Sequence, residues 1–331
     1  MLTLVVPIYN MEGYLARCMD SLLSQICRDF EIILVDDGST DSSGILCDSY
    51  AERYPELVRV VHKKNGGLST ARNAGMDAAR GEWIVFPDPD DWVEPDYVES
   101  FLYFQRKFQA ELVCLGYYVD TDDASEANGS NMEPYLIEGD ECQRSILLGP
   151  SFQGFSWNKI YRLDIIRKYD LRFSDGVGNS EDVYFAYQYL AKCSRIVHAP
   201  GKRVYHYYQR DNSTTRSGYT KRKLETLRTY ELIIADCKDR DPELVRAASD
   251  NICTEAVNLV WMLVNSRQKA PEDMKYLRDH IGRTLPQYLH SRQYGIGRKI
   301  QAFLALLCPH IYALLKNMVH RRNWLPGRKV Y

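Results

Sequence analysis

The chain has 331 residues, of which 45% are hydrophobic and 26% charged, and these values exclude a wholly disordered protein. The net charge of −2, the sparse basic residues and the lack of a recognition motif argue against nucleic acid as a partner. The nine cysteines are scattered without a Cys-x-x-Cys pair. This pattern argues against a disulfide framework or a zinc site and favours a reducing, cytoplasmic compartment.

The first 120 residues alternate strand and helix signals. Short apolar runs predict strands over residues 2–6, 30–35, 59–62, 83–86 and 112–118. Helices are predicted over residues 12–25, 41–54, 68–79 and 95–108. The alternation predicts an α/β fold with a mostly parallel sheet flanked by helices. Ligands bind such sheets at the carboxyl ends of the strands.

The second part of the chain has a different pattern. A polar loop is predicted over residues 120–134, helices over 138–148 and 182–191, and strands over 195–198 and 204–208. From about residue 220 to residue 320 the sequence predicts helices interrupted by prolines. We therefore expect a catalytic domain over residues 1–215 and a helical region over residues 216–331.

Two adjacent carboxylates, Asp36 and Asp37, follow the second predicted strand and precede Gly38. Carboxylates at this place suit hydrogen bonds from a nucleobase or a ribose. The alternative is a turn whose polar residues cap the next helix.

A glycine pair opens the helix after the third strand. Asn65 precedes Gly66 and Gly67, and Arg72 lies one turn inside the helix. Free N–H groups at a helix N-terminus suit an anion. The alternative is an ordinary glycine turn with a serine cap.

Three acids in four residues, Asp88, Asp90 and Asp91, follow the fourth strand. Like charges this close are costly unless a cation neutralises them. A hard divalent cation with oxygen ligands does so and keeps substrate phosphates as further ligands. The alternative is a solvated turn that caps the helix beginning near Pro95.

Glu181 and Asp182 open a later helix. Acidic residues are favourable there because of the helix dipole. A group-transfer enzyme also needs a general base, and an acid on a separate segment could supply it.

The order of these motifs resembles that of the family 2 glycosyltransferases, which have the GT-A fold and invert the anomeric centre. The resemblance rests on Pro7-Ile8-Tyr9-Asn10, Asp36 to Asp41, Asn65 to Gly75 and Asp88 to Asp91. Three later segments resemble those of members that build bacterial exopolysaccharide and capsule: Trp157-Asn158-Lys159, Glu181 to Phe185 and Val204 to Arg210. The match covers residues 1–215.

The resemblance implies a role for each matching residue. The nucleotide-sugar site would comprise Pro7, Tyr9, Asp36, Asp37, Asn65, Gly67, Arg72, Asp88 and Arg210. A Mn²⁺ or Mg²⁺ ion would be bound by Asp90, Asp91 and His206. Asp182 would be the general base and Glu181 would orient the acceptor, while Trp157 and Lys159 would contact it. Pro87 and Pro89 depart from the expected small and apolar residues, which leaves open which of the three aspartates meets the metal.

The end of the chain is basic. Residues 280–331 hold nine Lys and Arg and no acidic residue. The uncharged stretch 300–315 is too short to span a bilayer. It predicts an interfacial segment on anionic lipid at the inner face of the plasma membrane, with Phe303, Tyr312 and Trp324 at the interface. The alternative is a helix that packs on the catalytic domain or on a second copy in a homodimer.

Together these features predict an inverting transferase that moves a sugar from a nucleotide-sugar, with UDP favoured over GDP and TDP, to a saccharide or lipid-linked saccharide acceptor. The alternative is a nucleotide-sugar-binding protein without catalysis. The presence of Asp90 and Asp182 argues against this alternative. A dehydrogenase is not expected, because no Gly-x-Gly-x-x-Gly follows the first strand.

Overall fold

The computed structural model describes residues 1–128, 131–149, 152–174, 180–210 and 218–323, with side chains up to residue 319. The chain divides into two compact units. Unit 1 consists of Met1–Asp175 and Glu181–Ser213, and unit 2 consists of Gly176–Ser180 and Thr214–Tyr331.

Unit 1 contains the β-strands. They are β1 (Leu2–Ile8), β2 (Phe30–Asp36), β3 (Val58–His62), β4 (Trp83–Val85), β5 (Trp92–Val93), β6 (Leu112–Asp120), β7 (Ser125–Ala127), β8 (Tyr135–Glu138), β9 (Lys159–Arg162) and β10 (Arg195–Tyr208). Its helices are α1 (Leu15–Leu23), α2 (Ser43–Arg53), α3 (Leu68–Ala78), α4 (Tyr97–Phe108), α5 (Glu141–Leu148), α6 (Leu163–Lys168) and α7 (Glu181–Leu190).

Within the described residues these strands form one mixed sheet. Its order is β3-β2-β1-β4-β9-β6-β10-β5, with β7 on β6 and β8 on β10. The neighbours β3, β2, β1 and β4 pair in parallel, as does β6 with β10, while β9 is antiparallel to both β4 and β6. β1 and β2 are buried along their whole length, as expected for strands covered by helices on both faces. The predicted α/β fold class is confirmed.

The parallel part of the sheet brings the predicted site residues to one edge. β1, β2, β3 and β4 point the same way, so residues 7–10, 36–38, 62–67 and 86–91 lie at or just beyond their carboxyl ends. Helix α3 packs closely on β1 at Gly75, where an added Cβ would overlap the side chain of Val5.

Strand β10 differs from the prediction of two separate strands. It runs through Pro200 and Gly201 without ending, and its pairing with β6 shifts register between Ala199 and Arg203. This bulge takes up the residues that break a regular ladder. Gly116 on β6 lies against it, and a Cβ there would overlap the Pro200 carbonyl. The strands β5, β7, β8 and β9 and helix α6 are not among the predicted elements, and β7 lies within the predicted loop over residues 120–134.

Unit 2 is helical in its described part, as predicted. Its helices are α8 (Glu225–Cys237), α9 (Pro242–Ser266), α10 (Pro271–His290), α11 (Ile296–Leu307) and α12 (Pro309–Asn323), preceded by a 3₁₀ turn at Lys221–Leu224. Among the described residues, none of the helices combines the length and the apolar character needed to cross a bilayer.

Candidate active site

Asp36 lies at the end of β2 with both carboxylate oxygens engaged. Oδ1 accepts from the Ser39 N–H at 3.0 Å, and Oδ2 lies 3.0 Å from His62 Nδ1. His62 Nε2 lies 2.8 Å from Asp48. Burial raises the pKa of Asp36, but hydrogen bonds from Ser39 and His62 outweigh it and leave that pKa below its usual value. Asp36 is therefore a fixed anion beside the predicted nucleotide site.

Asp37 fastens the glycine turn that opens α3. Its carboxylate accepts from the N–H of Gly66 at 3.0 Å, from the N–H of Gly67 at 2.7 Å and from Lys63 Nζ. Its side chain is buried. Gly38 makes this approach possible, since it has φ +71° and a Cβ there would lie 2.9 Å from the Asn65 nitrogen. The predicted Asp37 and Gly67 are thus in direct contact.

The end of β1 lies next to the Asp36 segment. Pro7 is buried in the strand, and Tyr9 beyond it is 45% exposed, so its ring is free to meet a ligand. Asn10 has φ 54°, and its side-chain oxygen accepts from the Thr40 N–H at 2.8 Å. Asn65 is exposed at the α3 turn. These positions suit one binding surface at the strand ends.

Arg72 connects two acidic segments. Its NH1 donates to Glu181 at 2.9 Å and its NH2 to Asp88 at 3.3 Å. The guanidinium is buried 5.2 Å from the centre of the Phe173 ring. Burial lowers the pKa of Arg72, but Asp88, Glu181 and Asp182 outweigh it and raise that pKa, so the group is a permanent cation. Its Nε is buried without a hydrogen-bond partner among the described atoms, which leaves a donor for a ligand.

The three acids after β4 have different surroundings. Burial and the nearby Asp90 raise the pKa of Asp88 to about 6, although Arg72 opposes this. Burial, Asp88 and Asp90 raise the pKa of Asp91 well above its usual value. Asp90 forms a salt bridge with Arg210 Nε at 2.9 Å. The loop therefore concentrates negative charge that protein cations compensate only in part.

Asp91 is held by the protein on both oxygens. Oδ2 accepts from the Tyr205 hydroxyl at 2.6 Å, and Oδ1 accepts from the Tyr208 N–H at 2.8 Å. The Tyr205 hydroxyl also accepts from the Asp88 N–H at 3.0 Å. The flanking prolines, Pro87 and Pro89, do not prevent this bond, because the N–H that donates it belongs to Asp88. Asp91 thus positions the loop, and Asp88 and Asp90 offer the freer carboxylates.

Asp182 lies in surroundings that raise the pKa of its carboxyl. Burial and the adjacent Glu181 raise its pKa to about 7, although Arg72 and Lys159 oppose this. Glu181 is held by Arg72, so the two neighbouring acids differ, one paired and one left to titrate. The structure thus brings Asp88, Arg72, Glu181 and Asp182 into one electrostatic group.

His206 lies in a stack of rings. Its imidazole is 5.0 Å from the Trp92 ring and 4.8 Å from the Tyr118 ring, both nearly parallel to it. Nδ1 lies 3.0 Å from Asp120 and Nε2 lies 2.9 Å from Glu94. Binding a metal would require one of these contacts to break, so a ligand role for His206 stays a prediction without support from its contacts.

Trp157 and Lys159 are buried. Trp157 stacks on Tyr205 with ring centres 4.3 Å apart. Lys159 Nζ donates to the carbonyls of Gln153 and Phe155 and to Asn158 Oδ1. Their exposed fractions of 3% and 0% assign them to packing. Contact of these two side chains with an acceptor stays a prediction without support from their burial.

Comparison with known proteins decides the family. The model of the family described as glycosyl transferase family 2 matches residues 3–169, just over half of the chain. The chain belongs to glycosyl transferase family 2. All the predicted strand-end motifs, from Pro7 to Asp91, lie within the matched residues.

Similar relatives come from Bacillus subtilis strain 168. The chain is 35% identical over 210 residues to the protein EpsH, and the match covers 62% of this chain and 60% of that protein. It is 33% identical over 226 residues to the uncharacterized glycosyltransferase EpsJ, covering 66% of this chain and 64% of that protein. The chain thus spans somewhat less than two thirds of these relatives.

A solved structure of S. aureus TarS 1-349 in complex with UDP-GlcNAc is similar with a TM-score of 0.65 and 18% sequence identity. The match covers 100% of this chain and 94% of that one. The likeness confirms the GT-A fold that the motif order predicted.

The acidic loop, Asp88 to Asp91, contains the carboxylates with which this chain would hold a divalent ion. Among the described residues there is no group of three or more His, Cys, Asp or Glu side chains that could hold a metal ion. Mg²⁺ is commonly bound by one or two carboxylates together with substrate phosphates. Asp88 and Asp90 match that donor set in chemistry, and the raised pKa of Asp88 indicates a place where a cation would be favourable.

Several site residues were not predicted. Lys63 reaches Asp37, and Arg17 of α1 donates to the Asp90 carbonyl at 2.7 Å while lying 4.0 Å from the centre of the Trp92 ring. Tyr205 belongs to the segment Val204 to Arg210, but the sequence alone assigns it no role. A polar residue directly after a strand was the available signal for Lys63. No local signal identifies Arg17, because the Asp90 carbonyl to which it donates lies 73 residues later in the sequence.

Proposed function

We propose that this chain transfers a sugar from UDP-sugar to a hydroxyl group of a saccharide or lipid-linked saccharide in the synthesis of a bacterial cell-surface polymer, with inversion of the anomeric centre. The observation that carries the proposal is Asp182, an acid with a pKa raised to about 7, placed beside Glu181 and the Arg72–Asp88 pair. Family membership and the likeness to TarS, which was solved with UDP-GlcNAc and with UDP, support the donor class.

The donor would lie across the ends of β1, β2 and β4. The base and ribose would lie at the Tyr9 ring, which is 45% exposed and offers an aromatic face, beside the Asp36 and Asp37 segments. The carboxylates of both aspartates are already bonded within the protein, so they would shape this site through the turns that they hold. The unpaired Nε of Arg72 and the Arg210 guanidinium suit the negative charge of the diphosphate. Asp88 and Asp90 would hold Mn²⁺ or Mg²⁺, which when bound stabilises the charge of the leaving diphosphate.

The acceptor hydroxyl would lie against Asp182. Its oxygen attacks the anomeric carbon while an Asp182 oxygen takes its proton, and the bond from that carbon to the diphosphate oxygen breaks, releasing UDP. In-line attack on the face opposite the diphosphate inverts the centre, so an α-linked donor gives a β-linked product. A carboxylate with a pKa near 7 is matched to this task at neutral pH, because it is ionised yet basic enough to accept a proton.

The proposal places the reaction in the cytoplasm. All nine cysteines carry free thiols, which suits a reducing compartment.

The first experiment is a calorimetric titration of the chain with UDP, GDP and TDP, each with Mn²⁺ and with EDTA. We expect UDP to bind most tightly and to lose affinity at least about tenfold when the metal is removed. Asp90→Asn should abolish the gain from Mn²⁺, whereas Asp164→Asn, which changes an exposed acid paired with Arg162, should keep it. A folded sample that binds none of the three nucleotides would refute the proposed donor site.

A further inference from the structure

Helices α11 and α12 have their large apolar side chains on the outside. On α11 the exposed residues Ile296, Ile300, Phe303 and Leu307 recur at helical spacing, so they share one face. The residues on the opposite side that are buried are Ala302 and Ala305. A helix of a globular protein normally turns its large apolar residues inward. Here the small residues face inward and the large ones face solvent.

Helix α12 repeats this inverted arrangement. Its exposed apolar residues are Ile311, Leu314, Leu315, Met318 and Val319, and its buried residues include Tyr312 and Ala313. The nine exposed apolar side chains of the two helices, which we call the apolar face, have exposed fractions between 41% and 78%. Single exposed apolar residues are normal, but nine of them on two consecutive helices indicate an interaction surface.

The inner sides of these helices are already packed within unit 2. Trp261 Nε1 of α9 donates to Asn317 at 2.8 Å, and Lys316 Nζ of α12 donates to Asn258 at 3.2 Å. Arg278 of α10 donates to the Leu306 carbonyl at 2.7 Å. Because these polar contacts fix the orientation of both helices, the apolar face is a surface left over after packing and not a misplaced core.

The charges around the apolar face select its partner. Lys299 lies next to the exposed row of α11, whereas Lys316 points inward to Asn258. Residues 280–331 hold nine Lys and Arg and no Asp or Glu. A symmetric pair of copies would bring this surface against itself, so basic residues would face basic residues without an acid between them. An anionic bilayer supplies the missing negative charge and an apolar layer at the same time.

We infer that the apolar face of α11 and α12 docks on the surface of an anionic lipid bilayer, with its apolar side chains among the acyl chains and its basic residues at the headgroups. Both helices lie in the interface, since they have only 12 and 15 residues. Phe303 takes the interfacial place that the sequence predicted. Tyr312 does not, because it is buried, and Trp324 lies outside the described residues. This inference does not depend on the proposed activity.

The test is flotation of the full chain with vesicles of phosphatidylglycerol mixed with phosphatidylcholine, and with vesicles of phosphatidylcholine alone. We expect binding to the mixed vesicles that weakens with added salt. The double variant Ile300→Gln, Phe303→Gln should bind at least about tenfold more weakly. Both side chains are exposed, so unchanged thermal unfolding is expected. Ile45→Gln removes an even more exposed isoleucine, on α2 of unit 1, and should bind as the wild type does.

A second readout needs no substitution. Cys308, at the junction of α11 and α12, is the exposed one among the nine cysteines. An environment-sensitive fluorophore on it should shift to the blue with mixed vesicles and not with phosphatidylcholine alone. Absence of both flotation and shift would overturn the inference, as would equal binding by the double variant. A dimer of the wild type that the double variant abolishes, without vesicle binding, would assign the apolar face to a second copy.

Discussion

The hydroxyl of Tyr205 donates to Asp91 Oδ2 at 2.6 Å and accepts from the Asp88 N–H at 3.0 Å. One phenol thus fixes two residues of the acidic loop, while its ring is held against Trp157. The shape of the loop therefore depends on strand β10, more than a hundred residues later in the chain.

Replacing Tyr205 by Phe should loosen the acidic loop. The ring stays stacked, but Asp91 and the Asp88 N–H lose a buried partner, which costs about 1–3 kcal/mol of unfolding free energy. Chemical denaturation measures this cost, and calorimetry should show weaker Mn²⁺-dependent binding of UDP. Tyr103→Phe, which removes an exposed hydroxyl that contacts Lys107, is the control and should change stability by less than about 0.5 kcal/mol. Equal effects of the two variants would contradict the role given to Tyr205.

Arg72→Gln should be strongly destabilising. It leaves Asp88 and Glu181 without the buried cation that pairs with both, and removing one partner of a buried pair costs about 3–5 kcal/mol. The matched control is Arg172→Gln, which breaks an exposed pair with Asp77 and should cost less than about 1 kcal/mol. Denaturant unfolding of both variants at neutral pH provides the comparison. A loss at position 72 no greater than at position 172 would show that the buried pairs contribute little.

Asp182→Asn should abolish most of the turnover while nucleotide binding is kept. Loss of a general base lowers kcat by about 10²–10⁴-fold. In the wild type, kcat should rise with pH with a midpoint at about pH 7, because protonated Asp182 cannot accept the acceptor's proton. Product formation from UDP-sugar across this range provides the measurement. Turnover by the variant equal to that of the wild type would remove Asp182 from the role of base, and the protein would then fit better as a nucleotide-sugar binder.

The same substitution should stabilise the protein. The pKa of Asp182 in the folded state is raised from 3.8 to about 7, so between these values the folded state binds more protons than the unfolded state. Its contribution to stability therefore falls as pH rises from about 4 to about 7. Asn does not titrate, so its contribution to stability does not fall with pH. The unfolding free energy of the variant should therefore exceed that of the wild type increasingly from about pH 4 to about pH 7, and by about 1 kcal/mol or more above pH 7. Thermal melts at pH 5 and pH 8 test this, and a constant difference would contradict it.

Gly38→Ala should damage the turn that Asp37 fastens. Gly38 has φ +71°, and the added Cβ would press on the backbone nitrogen of Asn65 at 2.9 Å. We expect a loss of roughly 1–3 kcal/mol in stability and weaker UDP binding. Gly13→Ala, where an added Cβ meets no atom within 4 Å, should leave both quantities nearly unchanged. A tolerated Gly38→Ala would mean that the turn can relax without cost.

Local patterns were enough to predict the strands that form the binding edge. Short apolar runs that end near Pro7, Asp36 and Asp88 indicate buried strands. Parallel pairing of these strands places their ends at one edge of the sheet. The acids at those ends could be predicted because strand ends in such a sheet are where ligands bind.

Long-range packing could not be predicted in this way. The burial of Lys159 depends on carbonyl groups of Gln153 and Phe155, which no periodicity reveals. The continuity of β10 through Pro200 depends on a bulge against β6, since proline alone predicts a break. The inward alanines of α11 are equally hidden, because an amphipathic pattern shows which face is apolar but not which way it points.

The position of Arg72 between Asp88 and Glu181 has a consequence for the binding of the two substrates. A donor that draws the guanidinium toward its diphosphate would weaken the pair with Glu181 and thereby change the affinity for an acceptor that engages Glu181. Since coupling between two sites is reciprocal, the acceptor should change the affinity for the donor by the same factor. We therefore expect that the two substrates do not bind independently.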